Sequence, residues 1–250
     1  MLVAGSVDIA PDGTISSLSV DRREQLPADV TSLIDRTSAH WRFAPDPSDG
    51  AVMRHAVMTL RIVARTEDDG VYRSRIRAAT FGDRDMDGQI LYKSHPLPRY
   101  PLFAYQNHIS GDVYLLLRVD RDGKVTDVSA EQVNLDTVTE EHMMRQIRKV
   151  FADACVNSAR YWTFDVPHPG NLSDGAWLAR VPIHFGFKEF GQPVVGYGTW
   201  LVYVPGPQEP VAWLGKYGYK PPARNTDALP AGRLQPVQQE LALIVPLDGE

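Results

Sequence analysis

Residues 100–133 read YPLFAYQNHISGDVYLLLRVDRDGKVTDVSAEQV. Two runs in which apolar and polar residues alternate, DVYLLLRV and KVTDVSAEQV, flank the turn Asp120-Arg121-Asp122-Gly123. Alternation with a period of two is typical of a half-buried strand, and an Asp-Gly pair between two such runs predicts a β-hairpin. This hairpin decides the fold prediction, because a similar hairpin pattern occurs near the start of the chain.

The start of the chain carries the same order of elements. The runs VAGSVDIA and TISSLSV alternate on either side of Pro11-Asp12-Gly13, and LPADVTSLIDRTSAHW then places apolar residues at helical spacing. HWRF (residues 40–43) and a further alternating run over residues 52–64 follow. The sequence therefore predicts strand, strand, helix, strand.

The second hairpin is followed by the same elements again. A long helical pattern covers residues 138–160, YWTF (161–164) repeats HWRF, and LARVPIHFGF (178–187) supplies a closing strand. We interpret the chain as a small module that occurs twice. The positions shared by the two copies are apolar or turn-forming, so the repetition predicts a shared fold rather than a shared catalytic site.

The predicted domain organisation has four parts. Residues 1–65 form the first, degenerate module, residues 66–97 a linker with an extra strand, residues 98–188 the second module, and residues 189–250 a tail rich in Pro, Gly and aromatic residues. The tail has no helical period, so we expect it to lie extended over the domains. The predicted fold class is α+β, with antiparallel sheets that each pack on a helix.

The amino-acid composition argues against several classes of protein. The 250 residues are 43 % hydrophobic and 23 % charged, with a net charge of −5, which indicates a globular chain rather than disorder. The acidic balance argues against a nucleic-acid partner, which requires a basic face. No run approaches the about 20 apolar residues of a membrane-spanning helix. One cysteine, Cys155, excludes an internal disulfide and a Cys-based zinc site.

One acidic loop matches part of a metal-binding motif. Asp83, Asp85 and Asp87, followed by Gly88, correspond to the first positions of an EF-hand calcium loop. The twelfth position, which should supply a bidentate carboxylate, is Ser94. A solvated acidic turn is the plainer interpretation, and calcium is the alternative. The sequence contains no nucleophile elbow, phosphate-binding loop or metal-binding histidine spacing, so we predict no enzymatic activity and no cofactor.

Five elements of the second module occur in an order known from one protein family. They are Pro98-Arg99-Tyr100-Pro101, Ile109-Ser110-Gly111, the turn from Val119 to Gly123, Trp162-Thr163-Phe164 with Pro167, and Val181-Pro182-Ile183 with Phe185. In this order they resemble the C-terminal domain of TonB-type energy transducers. Residues 3–64 resemble the same domain more weakly, without the Tyr-Pro entry.

The resemblance implies a function. In this family the last strand is an edge that receives an extended segment of an outer-membrane transporter by strand addition. The implied partner-binding residues are Leu178, Arg180, Val181, Ile183, His184 and Phe185. The implied partner is a TonB-dependent transporter or another envelope protein. The implied location is periplasmic or secreted, and we expect a signal peptide to have been removed from before Met1.

Two alternatives stay open. If the tail covers the edge of residues 178–187, the chain is a rigid envelope scaffold or interaction protein without an energy-transducing role. If the loop of Asp83 to Asp87 is functional, the chain is a calcium-binding or hydrolytic protein. These 250 residues include neither the membrane anchor nor the Pro-rich spacer of the transducers, so the resemblance supports the fold and the binding mode rather than the motor role.

Overall fold

The structure is a computed structural model. It describes residues 1–44, 53–67, 70–83, 90–167, 172, 174–187, 196–219, 226–237, 241 and 243–247. The fold is mixed α and β, with antiparallel sheets. The chain divides into two compact units: unit 1 is Met1–Asp85, Pro193–Leu201 and Gln239–Glu250, and unit 2 is Met86–Gln192 and Val202–Gln238.

Unit 1 is built on a four-stranded antiparallel sheet. Its strands are β1 (Leu2–Ile9), β2 (Ile15–Val20), β3 (Arg54–Thr66) and β4 (Tyr72–Asp83), and its helix α1 spans Ala28–Ser38. The strand order is β2-β1-β3-β4. The hairpin of β1 and β2 is thus followed by α1 and by a third strand, in the predicted order. The structure adds that this third strand, β3, pairs with β1.

Helix α1 forms where the apolar spacing predicts it. Val30, Leu33 and Ile34 are buried on one side, and each contributes about 1.5–3 kcal/mol by leaving water. Pro27 precedes the first turn, where a missing N–H breaks no helical hydrogen bond. The hydroxyl of the buried Thr37 donates to the carbonyl of Leu33 at 2.8 Å, so its burial leaves no unpaired polar group.

Parts of the tail complete unit 1. The ring of Trp41 packs edge-on against Phe81 at 5.6 Å, and its Nε1 donates to the carbonyl of Leu247 at 3.2 Å. The hydroxyl of Tyr197 accepts from the backbone N–H of Ala4 at 3.0 Å. Unit 1 is therefore assembled from segments that lie far apart in the sequence.

Unit 2 is also built on a four-stranded antiparallel sheet. Its elements are β5 (Leu91–Ser94), α2 (Leu102–Gln106), β6 (Gly111–Val119), β7 (Val125–Leu135), α3 (Glu141–Ala159), β8 (Thr163–Asp165), β9 (Trp177–Phe185), α4 (Trp213–Lys216) and β10 (Gln235–Pro236). The order of the main sheet is β10-β9-β6-β7, and β5 and β8 form a separate pair. The hairpin, helix and third strand occur in the same arrangement as in unit 1.

Helix α3 covers one face of the main sheet. Its buried stripe consists of Ile147, Phe151, Cys155 and Ala159. Residues four apart lie on one side of a helix, so the stripe can face the sheet along the whole length of α3. The buried side chains of Val113, Leu115 and Leu117 on β6 belong to the same apolar cluster.

The hairpin turn meets the Trp-x-Phe segment in the same way in both units. The N–H of Phe43 donates to the carbonyl of Gly13 at 2.8 Å, and the N–H of Phe164 donates to the carbonyl of Gly123 at 2.7 Å. The φ angles of these glycines are +81° and +78°. A Cβ would lie 2.2 Å and 1.9 Å from the phenylalanine carbonyl oxygens. Both positions therefore require glycine.

The units divide the chain differently from the predicted domains. The predicted linker over residues 66–97 contributes β4 to the sheet of unit 1, paired with β3 from Ala56 to Thr66, whereas β5 pairs with β8 in unit 2. The predicted tail is also shared between the units. Alternation identifies a strand but carries no information on which strand it pairs with, so the sequence did not indicate these assignments.

Candidate functional site

Strand β9 carries the six residues that the sequence predicted to bind a partner. It pairs antiparallel with β6 from Gly111 opposite Phe185 to Val119 opposite Trp177. Successive side chains of a strand point to opposite faces of the sheet. Val181 and Phe185 accordingly belong to the core beneath α3, where Phe185 stacks on Phe151 with ring centroids 4.5 Å apart. Their side chains are buried, and their backbone groups face β6 rather than the outer edge of β9, because both residues alternate with the outward-facing Pro182.

Leu178 lies on the other face of the sheet, which residues of the tail cover. It forms a small buried apolar cluster with Leu116 of β6 and Leu214 of α4. The indole Nε1 of Trp213 donates to Ser129 Oγ at 3.0 Å, which fixes α4 to β7. The main sheet of unit 2 therefore lies between α3 and the tail.

Arg180 is buried on this tail-covered face and pairs with Glu131. Arg180 Nε donates to Glu131 Oε2 at 2.8 Å, and the two side chains are 3 % and 8 % exposed. Glu131 lies on β7 at a bulge: Gln132 pairs with Tyr114 and Ala130 with Leu115, and Glu131 is the extra residue between them. Bulges redirect side chains. Here the bulged residue supplies the partner of a buried cation.

The tail binds the edge of β7 through backbone groups. Leu135 and Val204 exchange two backbone hydrogen bonds of 3.0 and 2.8 Å. The N–H of Glu209 donates to the carbonyl of Glu131 at 2.8 Å. The C-terminal half of β7 is therefore paired with an extended segment of the tail.

Buried amides strengthen this contact. Gln132 Nε2 donates to Asn134 Oδ1 at 2.9 Å and to the carbonyl of Gly206 at 3.2 Å, and the N–H of Gly206 donates to Asn134 Oδ1 at 3.0 Å. Gln208 donates to Gln132 Oε1. Buried amides without partners are costly, so residues 202–209 complete the polar side of this sheet.

A second stretch of the tail reaches the outer edge of β9. Gln235 lies opposite Arg180 and Pro236 lies opposite Ala179, forming the two-residue strand β10. The N–H of Gly232 donates to the carbonyl of Pro182 at 3.3 Å. The chain's own tail therefore occupies part of the edge that the sequence predicted to bind a partner, so the condition named for the scaffold alternative is met at Ala179 and Arg180.

His184 lies two residues beyond Pro182 on β9. Since the carbonyl of Pro182 points away from β6 and alternate residues of a strand point the same way, the backbone of His184 also faces outward. Its Nδ1 is 2.9 Å from Asp112 Oδ1, and this hydrogen bond raises the pKa of His184. Ile183, the remaining predicted residue, is half-buried against the core.

A polar cluster lies at the turn end of the β6–β7 hairpin, beside a cavity of about 320 Å³. Arg118 Nη2 and the hydroxyl of Tyr219 each donate to Asp174 Oδ2 at 2.6 Å. Burial opposes ionisation of Asp174, but the hydrogen bonds from Tyr219 and Arg118 outweigh it and lower its pKa to about 2. The guanidinium of Arg118 also lies over the ring of Tyr217, 4.2 Å from its centroid. This cluster ties the hairpin to the tail.

The calcium prediction lies outside what the structure describes. Asp83 ends β4, but its side chain and the residues Asp85 and Asp87 are not among the described positions. Across the part of the chain that is described, no group of three or more His, Cys, Asp or Glu side chains could hold a metal ion. Within the same part, no helix is both long enough and apolar enough to span a membrane.

Sequence reasoning missed the residues that hold the tail. Glu131, Gln132 and Asn134 are buried, and none of them was among the predicted site residues. The available signal was the density of polar residues in SAEQVN at the end of an otherwise alternating strand. Polar residues on a strand can face either water or a polar partner, and the pattern alone does not distinguish the two.

Comparison with known proteins does not assign the chain to a family. No family model matches the chain, and no curated protein matches it. Among solved structures, the chain is similar to the solution NMR structure of the Pseudomonas aeruginosa TonB C-terminal domain, with 22 % identity over 44 % of this chain and 94 % of that domain. The TM-score is 0.23, which does not establish a common fold. The resemblance to TonB therefore rests on the sequence motifs.

Proposed function

We propose that this chain is a non-enzymatic, cofactor-independent protein of the cell envelope that binds an extended segment of a partner protein as an added strand on the outer edge of β9. The main support is the pairing of β10 with β9. At this edge, Gln235 and Pro236 of the chain's own tail already lie as an added strand. An edge that accepts one extended segment through backbone pairing can accept another.

The comparison of the two units supports this edge over the corresponding edge of unit 1. In unit 1 the third strand, β3, is covered by β4 from Ala56 to Thr66. In unit 2 the third strand, β9, is paired on that side at Ala179 and Arg180. We take the units as two copies of one module, of which the second kept an edge for binding.

The class of partner follows from the order of the sequence motifs. Tyr100-Pro101, the Asp-Gly turn, Trp162-x-Phe164 and Pro182-Ile183 occur in the order seen in TonB C-terminal domains. We therefore propose a periplasmic or exported protein whose partner is a TonB-dependent outer-membrane transporter or another envelope protein. Coupling to transport additionally requires that the partner's segment displace the tail from Ala179 and Arg180.

Peptide binding tests the proposal. Fluorescently labelled peptides from the N-terminal extended segments of outer-membrane transporters are titrated with the full chain, and anisotropy is recorded. The variant His184→Pro removes an outward backbone N–H and should weaken binding about ten-fold. His184→Ala keeps the N–H and loses only the contact with Asp112, so its affinity should equal that of the wild type.

Two results would contradict strand addition at β9. One is the absence of binding to every transporter segment. The other is equal affinity of the His184→Pro and His184→Ala variants for a segment that does bind.

A rigid scaffold is the second candidate, and the buried amides favour it. Gln132, Asn134 and Gly206 hold residues 202–209 as an integral part of unit 2. On this view a partner binds a different surface. Partner capture from envelope extracts would then be unchanged in the His184→Pro variant.

A further inference from the structure

The tail of unit 2 contains two segments that are held in different ways. Residues 202–213, here called the anchor, bind the edge of β7 and the polar face of the sheet. Residues 230–237, here called the latch, bind the edge of β9. The difference between them bears on how the proposed binding edge becomes accessible.

The anchor is held by short hydrogen bonds to buried groups. The backbone bonds at Val204 and Glu209 measure 2.8 to 3.0 Å. The N–H of Gly206 donates to the side chain of the fully buried Asn134 at 3.0 Å. Removing the anchor would expose or unpair these groups, so it is expected to stay bound.

The latch makes a shorter backbone contact, although Leu234 packs against the core of unit 2 and Pro236 is buried. Its strand β10 consists of Gln235 and Pro236. The ladder cannot continue regularly toward His184, because Pro182 has no backbone N–H to donate. The remaining bond, from the N–H of Gly232 to the carbonyl of Pro182, measures 3.3 Å, beyond the usual 2.9–3.0 Å of such bonds.

One side chain of the latch is poorly satisfied in the bound position. Gln235 Nε2 is buried, and no hydrogen-bond partner for it exists among the described residues; the same holds for Asn134 Nδ2 beneath the anchor. A buried amide donor without a partner is destabilising, and release of the latch would return this group to water. Burial of this unpaired amide therefore raises the free energy of the bound latch.

We propose that the latch is a displaceable internal strand that blocks the edge of β9 until a partner's segment replaces it, while the anchor stays bound. This inference rests on the proposed function, because it concerns access to the same edge. The apparent affinity of a partner is then reduced by the fraction of molecules in which the latch is closed. Any change that opens the latch increases affinity, and any change that locks it abolishes binding.

A reversible lock can be built at the latch. Ala179 and Pro236 lie directly opposite each other, and Cα atoms of directly opposed strand residues are close enough for a disulfide. The full chain carrying Ala179→Cys and Pro236→Cys is studied oxidised and reduced. Cys155 is fully buried and stays unchanged. The probe is a labelled peptide with the latch sequence PAGRLQPV, which can bind the edge only when the chain's own latch is open.

Opening the latch requires a second variant. Gly232 has a φ of +79°, and its N–H donates to the carbonyl of Pro182. Gly232→Pro removes this N–H, and proline cannot adopt a positive φ. We expect this variant to bind the probe about ten-fold more tightly than the wild type, and the oxidised double-cysteine variant to lose binding that reduction restores. Equal binding by the oxidised and reduced forms would overturn the proposal, as would an unchanged affinity of Gly232→Pro.

Hydrogen exchange of the wild-type chain gives a readout without any ligand. The backbone N–H of Gln235 in the latch should exchange at least about ten-fold faster than that of Glu209 in the anchor. Equal protection of the two amides would refute the latch and leave strand addition at β9 intact. A fast-exchanging latch in a chain that binds no transporter segment would instead refute the proposed function alone.

Discussion

Arg180 and Glu131 form an ion pair across the second sheet, although their strands, β9 and β7, are separated by β6. The pair exists because the bulge at Glu131 places an extra residue on β7. Both side chains are almost completely shielded from water. Such a pair contributes little net stability as a whole, but loss of one member leaves a buried charge without its partner.

We expect Arg180→Met to lower the free energy of unfolding by about 3–5 kcal/mol. The double variant Arg180→Met with Glu131→Leu should recover most of this loss, because neither charge of this pair is then left buried without the other. Urea unfolding followed by tryptophan fluorescence measures both. Lys149→Met is the control: Lys149 and Asp153 form an exposed pair, so its loss should cost less than about 1 kcal/mol. Equal losses for Arg180→Met and Lys149→Met would show that the buried pair has no special role.

The turn glycine of the second hairpin should be intolerant of a methyl group. Gly123→Ala combines a positive φ with a Cβ 1.9 Å from the carbonyl oxygen of Phe164. We expect a loss of more than about 2 kcal/mol in thermal or urea unfolding. Gly218→Ala is a matched control, since Gly218 has a φ of +69° and no atom within 4 Å of the added Cβ. It should lose only about 1 kcal/mol, from backbone strain alone.

The contact between His184 and Asp112 predicts a pH-dependent stability. The hydrogen bond raises the pKa of His184 in the folded state above its usual value of 6.5. The contribution is therefore complete below about pH 6.5 and is lost as the pH rises through the folded-state pKa. Because the imidazole is 45 % exposed, we expect at most about 1 kcal/mol.

The measurement is the difference in unfolding free energy between the wild type and His184→Asn at about pH 5.5 and about pH 8.5. This difference should be larger at the lower pH. A difference that grows toward the higher pH would contradict the assigned sign.

Cys155 should be chemically inert in the folded chain. Its side chain is fully buried on the inner stripe of α3, and burial raises the pKa of the thiol. Iodoacetamide at about pH 8 should therefore leave the native protein unmodified and alkylate it in urea, as mass spectrometry would record. Rapid alkylation under native conditions would show that α3 separates from the sheet.

Local patterns were sufficient to predict the two hairpins and the helices α1 and α3, but not the short helices α2 and α4. Gly13 and Gly123 fix their turns through contacts with neighbouring segments, and α1 and α3 follow from apolar residues at helical spacing. Strand partners depend on long-range packing instead. The assignment of β4 to the first sheet and of β5 to unit 2 therefore could not be read from alternation.

The candidate site was likewise predictable only in its local part. The sequence located β9, but it did not show that the tail covers one face of the sheet and part of the edge of β9. Trp213 and Gln235 contact residues far away in the sequence, in segments without periodicity. The bulge at Glu131 likewise leaves no local sign, because a single extra residue interrupts an alternating run only slightly.

Segments of the two units alternate along the chain, which limits where the chain can be truncated without loss of part of a unit. Residues 193–201 and 239–250 complete unit 1, whereas residues 202–238 complete unit 2. A stop codon after residue 188, where the recognisable second module ends, would thus truncate both units at once. Neither unit is a single continuous stretch of the chain. Residues 193–201 of unit 1 lie between the two parts of unit 2, so expression of residues 86–238 still includes a segment of unit 1.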